Sequence, residues 1–336
     1  ISFGSPNFAT ESSTCFYATA MASKLTYGYW GGPDIKNSQC LLIWSKNNFT
    51  SGTPGAKKFI AARKKGLKVI EVSPVVTHQT RFADIHLALR PGTDGALALG
   101  MAHVIISENL HDRDFVGAWT KGFETFREYV KSFTPDKTEA ITGVPAHLVQ
   151  AAARMFASAE ASSILTSASP TVHHTNGVQN HRAIIALSGL TGNFDAPGGN
   201  YVVPETWMHV GTGCRTRQKE FIFPRSLDDL AQRVGQDKFP IWSEVVHEAQ
   251  SMCLADHIFD GKPYPVQALV AFGYNQRMWP GNDRLIEGLK KLDFFVDVDL
   301  FMTDTAKLAD IVLPACTSFE RSELRFYPGN HVIYTQ

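Results

Sequence analysis

The sequence predicts an α/β protein of two doubly wound domains with mainly parallel sheets, and three observations carry that expectation. Short, mostly apolar runs of strand length recur at 40–44, 67–72, 85–89, 163–166, 267–272, 294–298 and 311–313. Stretches of helical pattern separate many of them, at 56–65, 96–107, 112–120, 123–132, 145–157 and 182–190. The runs lead into Gly, Pro, Asn, Asp or Ser, residues that turn a chain. Buried strands alternating with helices specify a parallel sheet whose ligands bind at the carboxyl ends of the strands.

Taken in order, residues 40–44 form a buried strand that runs into the polar turn Ser45, Lys46, Asn47 and Asn48. The helix 56–65 stops at Gly66, the strand 67–72 follows, and Ser73-Pro74 ends it, which completes one βαβ unit. The run 85–89 enters Arg90-Pro91-Gly92-Thr93-Asp94, where Thr93 or Asp94 is placed to accept from the first free amides of the helix 96–107. A second block starts at 163–166, passes His173 and His174, continues as the helix 182–190 and enters a loop, 192–200, rich in Gly, Asn and Pro. Residues 206–263 are less patterned, with helices expected at 227–234 and 242–255. The last three runs make the second α/β layer. Gly273 and Asn275 follow the first of them, and Asp299, Thr303 and Thr305 follow the second.

Composition narrows the partners. With 336 residues, 44% hydrophobic and 19% charged, the chain has ample material for a buried core. Its 32 basic and 32 acidic side chains balance, so there is no electrostatic footprint for nucleic acid or an anionic membrane. Five scattered cysteines, never spaced as CxxC, argue against a disulfide framework or a zinc knuckle and imply free thiols. No apolar run is long enough to span a bilayer. The chain starts without Met and ends without a terminal signature, as expected for a piece of a longer polypeptide. It also lacks G-x-G-x-x-G and P-loop turns, which speaks against ordinary nicotinamide, flavin or triphosphate binding. Cys15 stands apart, because a turn-rich approach precedes it and a run of small residues follows. Two readings stay open at this point: a soft thiolate ligand for a transition metal, or a small buried hydrophobe.

Four motifs occur in a fixed order: Asn7 to Cys15; Arg90-Pro91-Gly92-Thr93-Asp94; Leu190-Thr191-Gly192-Asn193 with Pro197-Gly198-Gly199; and Ala309-Asp310-Ile311-Val312-Leu313-Pro314. Together they resemble the molybdopterin oxidoreductases of the dimethyl sulfoxide reductase family, over essentially the whole chain. Residues 99–115 and 299–314 are most similar to its acetylene hydratase-like and anaerobic reductase members. The resemblance implies an enzyme that holds molybdenum or tungsten between two molybdopterin guanine dinucleotides and moves an oxygen atom, hydroxyl or hydride equivalent on a small substrate. A non-redox tungsten hydratase and a non-catalytic scaffold subunit are the alternatives within the fold. It further implies parts outside this chain: a domain with a four-iron four-sulfur cluster, a C-terminal barrel-like domain and an electron-transfer subunit. Without them the piece is expected to be inactive. For location it implies a prokaryotic cytoplasm, or export by a twin-arginine leader. In this family one unit is inserted into the other. The expected domains are therefore 1–27 plus 161–336, with the metal-ligand loop and one dinucleotide site, and 28–160, with the other site.

Carried over residue by residue, the resemblance makes Cys15 the protein ligand of the metal. It sets Ser45, Asn47, Glu71, Ser73, Gly92 and Asp94 around one dinucleotide and Gly273, Asn275, Asp299, Thr303 and Thr305 around the other. The family's Gly-x-Asn turn reads Ser45-Lys46-Asn47 here, and its Asp-Pro-Arg reads Ser73-Pro74-Val75, which leaves Glu71 as the nearby acid. Asp94 is expected to accept from a guanine edge, to cap its helix, or both. Ordinary turn duty competes for Asn47 and Ser73, and capping of the short helix before Asp310 competes for Thr303. His173 and His174 are candidate proton carriers at the metal, with satisfied surface or core histidines as the alternative. Phe16 stands where formate dehydrogenases of the family carry histidine, which disfavours formate.

Overall fold

The computed structural model describes residues 5–29, 31–202, 232–321, 323–325 and 333–335. Contacts divide the chain into two compact units, residues 15–203 and residues 1–14 with 204–336.

In the unit 15–203, α1 (Tyr17–Tyr27) leads through β1 (Gly31–Pro33) to a sheet of four parallel strands: β2 (Cys40–Trp44), β3 (Lys68–Val72), β4 (Ile85–Leu87) and β5 (Ser162–Thr166). Their order is β4-β3-β2-β5. Strand β2 lies inside the sheet with all five residues fully buried, which is why it reads as an unbroken apolar run rather than an alternation. Helices α2 (Asn48–Ser51) and α3 (Thr53–Lys64) join β2 to β3. Five more separate β4 from β5: α4 (Asp94–Ser107), α5 (Arg113–Trp119), α6 (Phe123–Val130), α7 (Pro135–Thr142) and α8 (Ala146–Ser158). After β5 come α9 (Ser169–Val172), α10 (Gly177–Leu190) and β6 (Asn200–Val202), which pairs with β1. One apolar cluster joins Leu42, Trp44 and Ile70 to Leu97, Met101, Phe156 and Ile184, and a second joins Leu41 and Ile43 to Phe59 and Val69. The strand order reverses between β2 and β5, the point where a doubly wound sheet opens a crevice at its carboxyl edge.

The other unit holds a parallel sheet of β7 (Ala268–Phe272), β8 (Phe294–Asp299) and β9 (Ile311–Pro314), in that order. With it go α11 (Pro240–Val246), α12 (Leu254–Asp260), α13 (Asn282–Leu289) and a ribbon of β10 (Glu323–Arg325) with β11 (Ile333–Thr335). No described helix is long and apolar enough to cross a membrane.

This division differs from the expected domains 1–27 plus 161–336 and 28–160. Strand β5 pairs with β2 along its whole length, from Cys40 opposite Ser162 to Trp44 opposite Thr166. Helix α1 packs on α10, Arg182 Nε donates to Thr26 Oγ1 at 3.3 Å, and the Tyr27 ring stacks on Phe194 at 4.0 Å. Both bring residues 15–27 and 161–203 into the unit of β2. Helix α7 was not expected; its start was readable in Thr134, whose hydroxyl accepts from Lys137 N at 3.3 Å, and in Pro135 at the first helical position. The expected helix 242–255 breaks at His247, which takes a left-handed φ of 61°. The expected helix 227–234 lies mostly outside the described residues.

Candidate cofactor site

The carboxyl ends of β2, β3, β4 and β5 surround a cavity of about 490 Å³, a size typical of small-molecule sites. Ser45 and Asn47 reach it from the end of β2, Glu71 and Ser73 from β3, and Asp94 from the first turn of α4. His173 and His174 close it from the segment after β5. The remaining expected residue, Gly92, has φ +88°, a left-handed backbone that favours glycine, and a Cβ on it would stand 3.3 Å from His174 Nδ1, close enough that the imidazole would have to shift. The six residues expected around one dinucleotide are thus brought together, and the two histidines expected as proton carriers stand in the same wall.

Local chemistry holds each group. Ser45 is a non-glycine residue at φ 54°, and its N–H donates to Val72 O at 2.8 Å. That left-handed backbone explains why glycine suits this position. Asn47 caps α2 by accepting from Phe49 N at 3.1 Å, and Ser73 Oγ donates to Val75 O at 2.9 Å. Both turn duties are real. Asp94 is only 3% exposed and accepts from Trp44 Nε1 at 2.7 Å, while Thr93 makes no side-chain capping bond. The expected cap by Thr93 is therefore not formed, because its hydroxyl donates back to Arg90 O at 2.7 Å. Glu71 is 2% exposed; Oε1 accepts from Gln79 Nε2 at 3.1 Å, and Oε2 has no partner. A buried carboxylate oxygen left bare costs about 1–3 kcal/mol or more, so this site calls for a donor.

The unit of β7–β9 repeats this turn. Gly273 has φ 58° and donates to Val298 O at 2.8 Å, as Ser45 does to Val72. Asn47 and Asn275 share φ −112° with ψ 99° and 98°, and Asn275 accepts from Arg277 N at 3.1 Å. Gln79 Oε1 accepts from Asn48 N at 2.9 Å, and Thr305 Oγ1 accepts from Gln276 N at 3.1 Å. Asp84 accepts from Val69 N at 2.8 Å, and Asp310 accepts from Phe295 N at 2.7 Å. In this alignment Asp297 answers to Glu71 and Asp299 to Ser73. Asp297 is 0% exposed and neither of its oxygens has a partner; burial first, and Asp299 second, push its pKa up. Asp299 Oδ1 accepts from Leu300 N at 2.6 Å, and Thr303 Oγ1 accepts from Ala306 N at 3.1 Å, so capping of the 3-10 turn Ala306–Leu308 is the role seen for Thr303. Sequence reading missed the repeat, along with Gln79 and Asp297. The signal was present, since Ala83-Asp84-Ile85 recurs as Ala309-Asp310-Ile311.

Cys15 follows the 3-10 helix Glu11–Thr14 in the turn that opens α1 and is half-buried, outside the apolar clusters. Cys40 is the contrasting case: it is 0% exposed in a core cluster, and burial pushes its thiol up to about 12. The run before Cys15 is fastened within its own unit. Asn7 Nδ2 donates to Tyr264 Oη and Ala249 N to Phe8 O, both at 2.9 Å, and Thr10 Oγ1 donates to Glu248 Oε2 at 3.1 Å. Among the described residues no group of three or more His, Cys, Asp or Glu side chains is placed to hold a metal ion. A metal at Cys15 would draw most of its ligands from a bound cofactor.

Residues 2–327 match the family profile of the molybdopterin oxidoreductases. The chain is 34% identical to acetylene hydratase of Syntrophotalea acetylenica, over 95% of this chain and 46% of that protein. It is 30% identical to formate dehydrogenase H of Escherichia coli, over 84% and 40% of the two lengths. It is 29% identical to the thiosulfate reductase molybdopterin-containing subunit PhsA of Salmonella typhimurium, over 96% and 43%. The solved structure of acetylene hydratase from Pelobacter acetylenicus matches with a TM-score of 0.81 at 29% identity, covering 99% of this chain and 49% of that one. The chain thus spans less than half the length of these relatives. With a profile that runs through both units and motifs that stand in the expected order, the chain belongs to the molybdopterin oxidoreductase family, whose members are enzymes built around a molybdenum or tungsten pterin cofactor.

Proposed function

We propose that this chain is the cofactor-holding middle part of an oxidoreductase with a bis(molybdopterin guanine dinucleotide) centre, and that each unit holds one dinucleotide. The repeated turn carries this reading: two strand ends share backbone and hydrogen bonds, and each stands beside a buried acid. In the unit of β2 the residues fit the group. Glu71 Oε2 lacks a donor and Asp94 is held in place by the Trp44 indole. A carboxylate accepts the adjacent N–H groups of a guanine edge, the role given to Asp94. An acid at the end of the second strand of a βαβ half binds ribose hydroxyls in dinucleotide folds, the role given to Glu71. Gly92 and the Ser45 to Asn47 turn bring backbone close to phosphate, and Ser73, His173 and His174 complete the wall. Gly273, Asn275, Asp299, Thr303 and Thr305 are given the second dinucleotide by the same logic.

When bound, the cofactor supplies a metal that exchanges two electrons with a small substrate. Cys15 is given the role of thiolate ligand, which donates electron density and sets the potential. A four-iron four-sulfur cluster in another domain and an electron-transfer subunit would carry electrons away. Non-redox hydration, with the metal activating water, is the second reading, favoured by the 34% identity and the TM-score of 0.81 to acetylene hydratases. Turnover in the intact enzyme without an external electron donor or acceptor would select it.

The nucleotide reading is tested by hydrolysing the cofactor of the intact, loaded enzyme and counting guanine nucleotides. The expected count is two per polypeptide. Asp94→Ala is expected to lower it toward one, since it alters one unit only, and to cost about 1–3 kcal/mol through the stranded Trp44 N–H. A count that stays at two in this variant would remove Asp94 from the site.

A further inference from the structure

Gln79 sits behind the wall of the strand-end cavity in the unit of β2, in the 3-10 turn Gln79–Phe82 between β3 and β4. It is 0% exposed, so it meets no ligand itself. Its side-chain amide is engaged on three sides: Nε2 donates to Lys46 O at 2.8 Å and to Glu71 Oε1 at 3.1 Å, and Oε1 accepts from Asn48 N at 2.9 Å. Lys46 O and Asn48 N are the groups on either side of Asn47. A residue of a parallel strand grips its neighbour in the same two-sided way, donating to the residue before the one opposite and accepting from the residue after it. The Gln79 amide thus adds one rung to the sheet where β2 has already ended, and Asn47 between the two bonds is extended, at φ −112° and ψ 99°. Lys46, Asn47 and Glu71, which the amide holds in place, all line the cavity.

The other unit shows the same turn without that amide. Counted from the Ala-Asp-Ile triplets, Thr305 is the counterpart of Gln79. Its hydroxyl accepts from Gln276 N at 3.1 Å, which reproduces the bond to Asn48 N, and Asn275 keeps φ −112° with ψ 98°. The side chain of threonine is too short to make the other half of the rung, and the buried acid beside it, Asp297, has no partner on either oxygen. One bond from this position is therefore enough to form the turn. The two further bonds of Gln79, to Lys46 O and to Glu71, are not needed to fold it.

We infer that Gln79 is a positioning residue for the nucleotide half-site at the ends of β2 and β3: it keeps the Ser45-Lys46-Asn47 turn and Glu71 in one arrangement before the ligand arrives. The inference rests on the dinucleotide reading of that cavity. Groups already held lose less freedom on binding, and holding them from a buried side chain leaves the wall itself free for contact. The same comparison makes the two half-sites unequal, with the half at β2 the more firmly held.

Gln79→Thr copies the other unit and keeps a partner for Asn48 N, so the turn still forms. In the intact, loaded enzyme this variant is expected to release guanine nucleotide about ten times faster than wild type, the size of effect that lost buried hydrogen bonds produce. Gln79→Glu keeps the volume and the acceptor but, when ionised, has no donor for Lys46 O or Glu71, and it is expected to change the rate in the same direction. The second readout is the gap between the thermal midpoints of the loaded and the cofactor-free polypeptide. That gap grows with the affinity of the bound group, so it is expected to shrink in both variants. A part in folding alone would lower both midpoints equally and leave the gap as it was. Release at the wild-type rate from both variants, or a gap of wild-type size with both midpoints lowered, would overturn the role of Gln79. A wild-type enzyme with fewer than two guanine nucleotides per polypeptide would overturn the dinucleotide reading, and this inference with it.

Discussion

Cys15→Ala in the intact enzyme is expected to lower kcat by more than about a hundredfold and to change the electronic spectrum of the metal, since altering groups that merely orient metal ligands already costs about 10–100-fold. Stability should hardly move. Cys15 is half-buried in a turn and belongs to none of the apolar clusters, so truncation empties little packed space, and substitutions in such places stay within about 0.5 kcal/mol. Cys15→Ser separates ligand chemistry from bulk: it keeps a small polar group but exchanges a soft thiolate for a hard oxygen, so the spectrum should shift again. Cys40→Ala is the control from the core. It removes a thiol that is 0% exposed between strands and is expected to lower the thermal midpoint with the metal spectrum unchanged. If Cys15→Ala kept wild-type turnover and spectrum, the ligand role would be lost.

The sheets were legible because parallel strands buried on both faces have a signature that little else produces. The run Cys40 to Trp44 has no alternation to misread, and turn residues bound it on the far side. The cavity was legible for a related reason. Ligands of such a sheet collect at strand ends, so Ser45, Asn47, Ser73 and Asp94 could be named before their side chains were placed. Partners across the chain were not legible. Nothing local says that Asp94 is held by Trp44, fifty residues earlier, instead of serving as a plain cap. Strand pairing decided the division into units, and pairing of β5 with β2 is a contact between residues more than 120 apart in sequence. Helix α1 was missed because Tyr17 to Tyr27 has small and polar residues on most sides; its docking on α10, not a strong apolar stripe, accounts for it. The repeat escaped because identities such as Asn47/Asn275, Val72/Val298 and the Ala-Asp-Ile triplets are scattered among unlike residues, whereas the match in backbone angles and hydrogen bonds is close.

That repeat leads to the largest stability effect expected here, at Asp297. Its carboxyl is 0% exposed on β8, neither oxygen has a partner, and burial together with Asp299 raises its pKa. A raised carboxyl pKa has a definite sign. Well below the ordinary Asp pKa of about 3.9, the group is protonated in both folded and unfolded chains and contributes no pH-dependent term. As pH climbs from the unfolded value through the folded one, the unfolded chain ionises first, and stability is lost until both forms are ionised. Asp297→Asn keeps the shape and cannot ionise. It should therefore match wild type at about pH 3 and exceed it at about pH 8, by about 1–3 kcal/mol, the usual cost of an unmet buried polar group. Denaturant unfolding of the intact polypeptide at these two pH values measures the difference. A gain of equal size at both pH values would mean that the substitution acts through packing, and a loss at pH 8 would mean that the ionised carboxylate has a partner of its own.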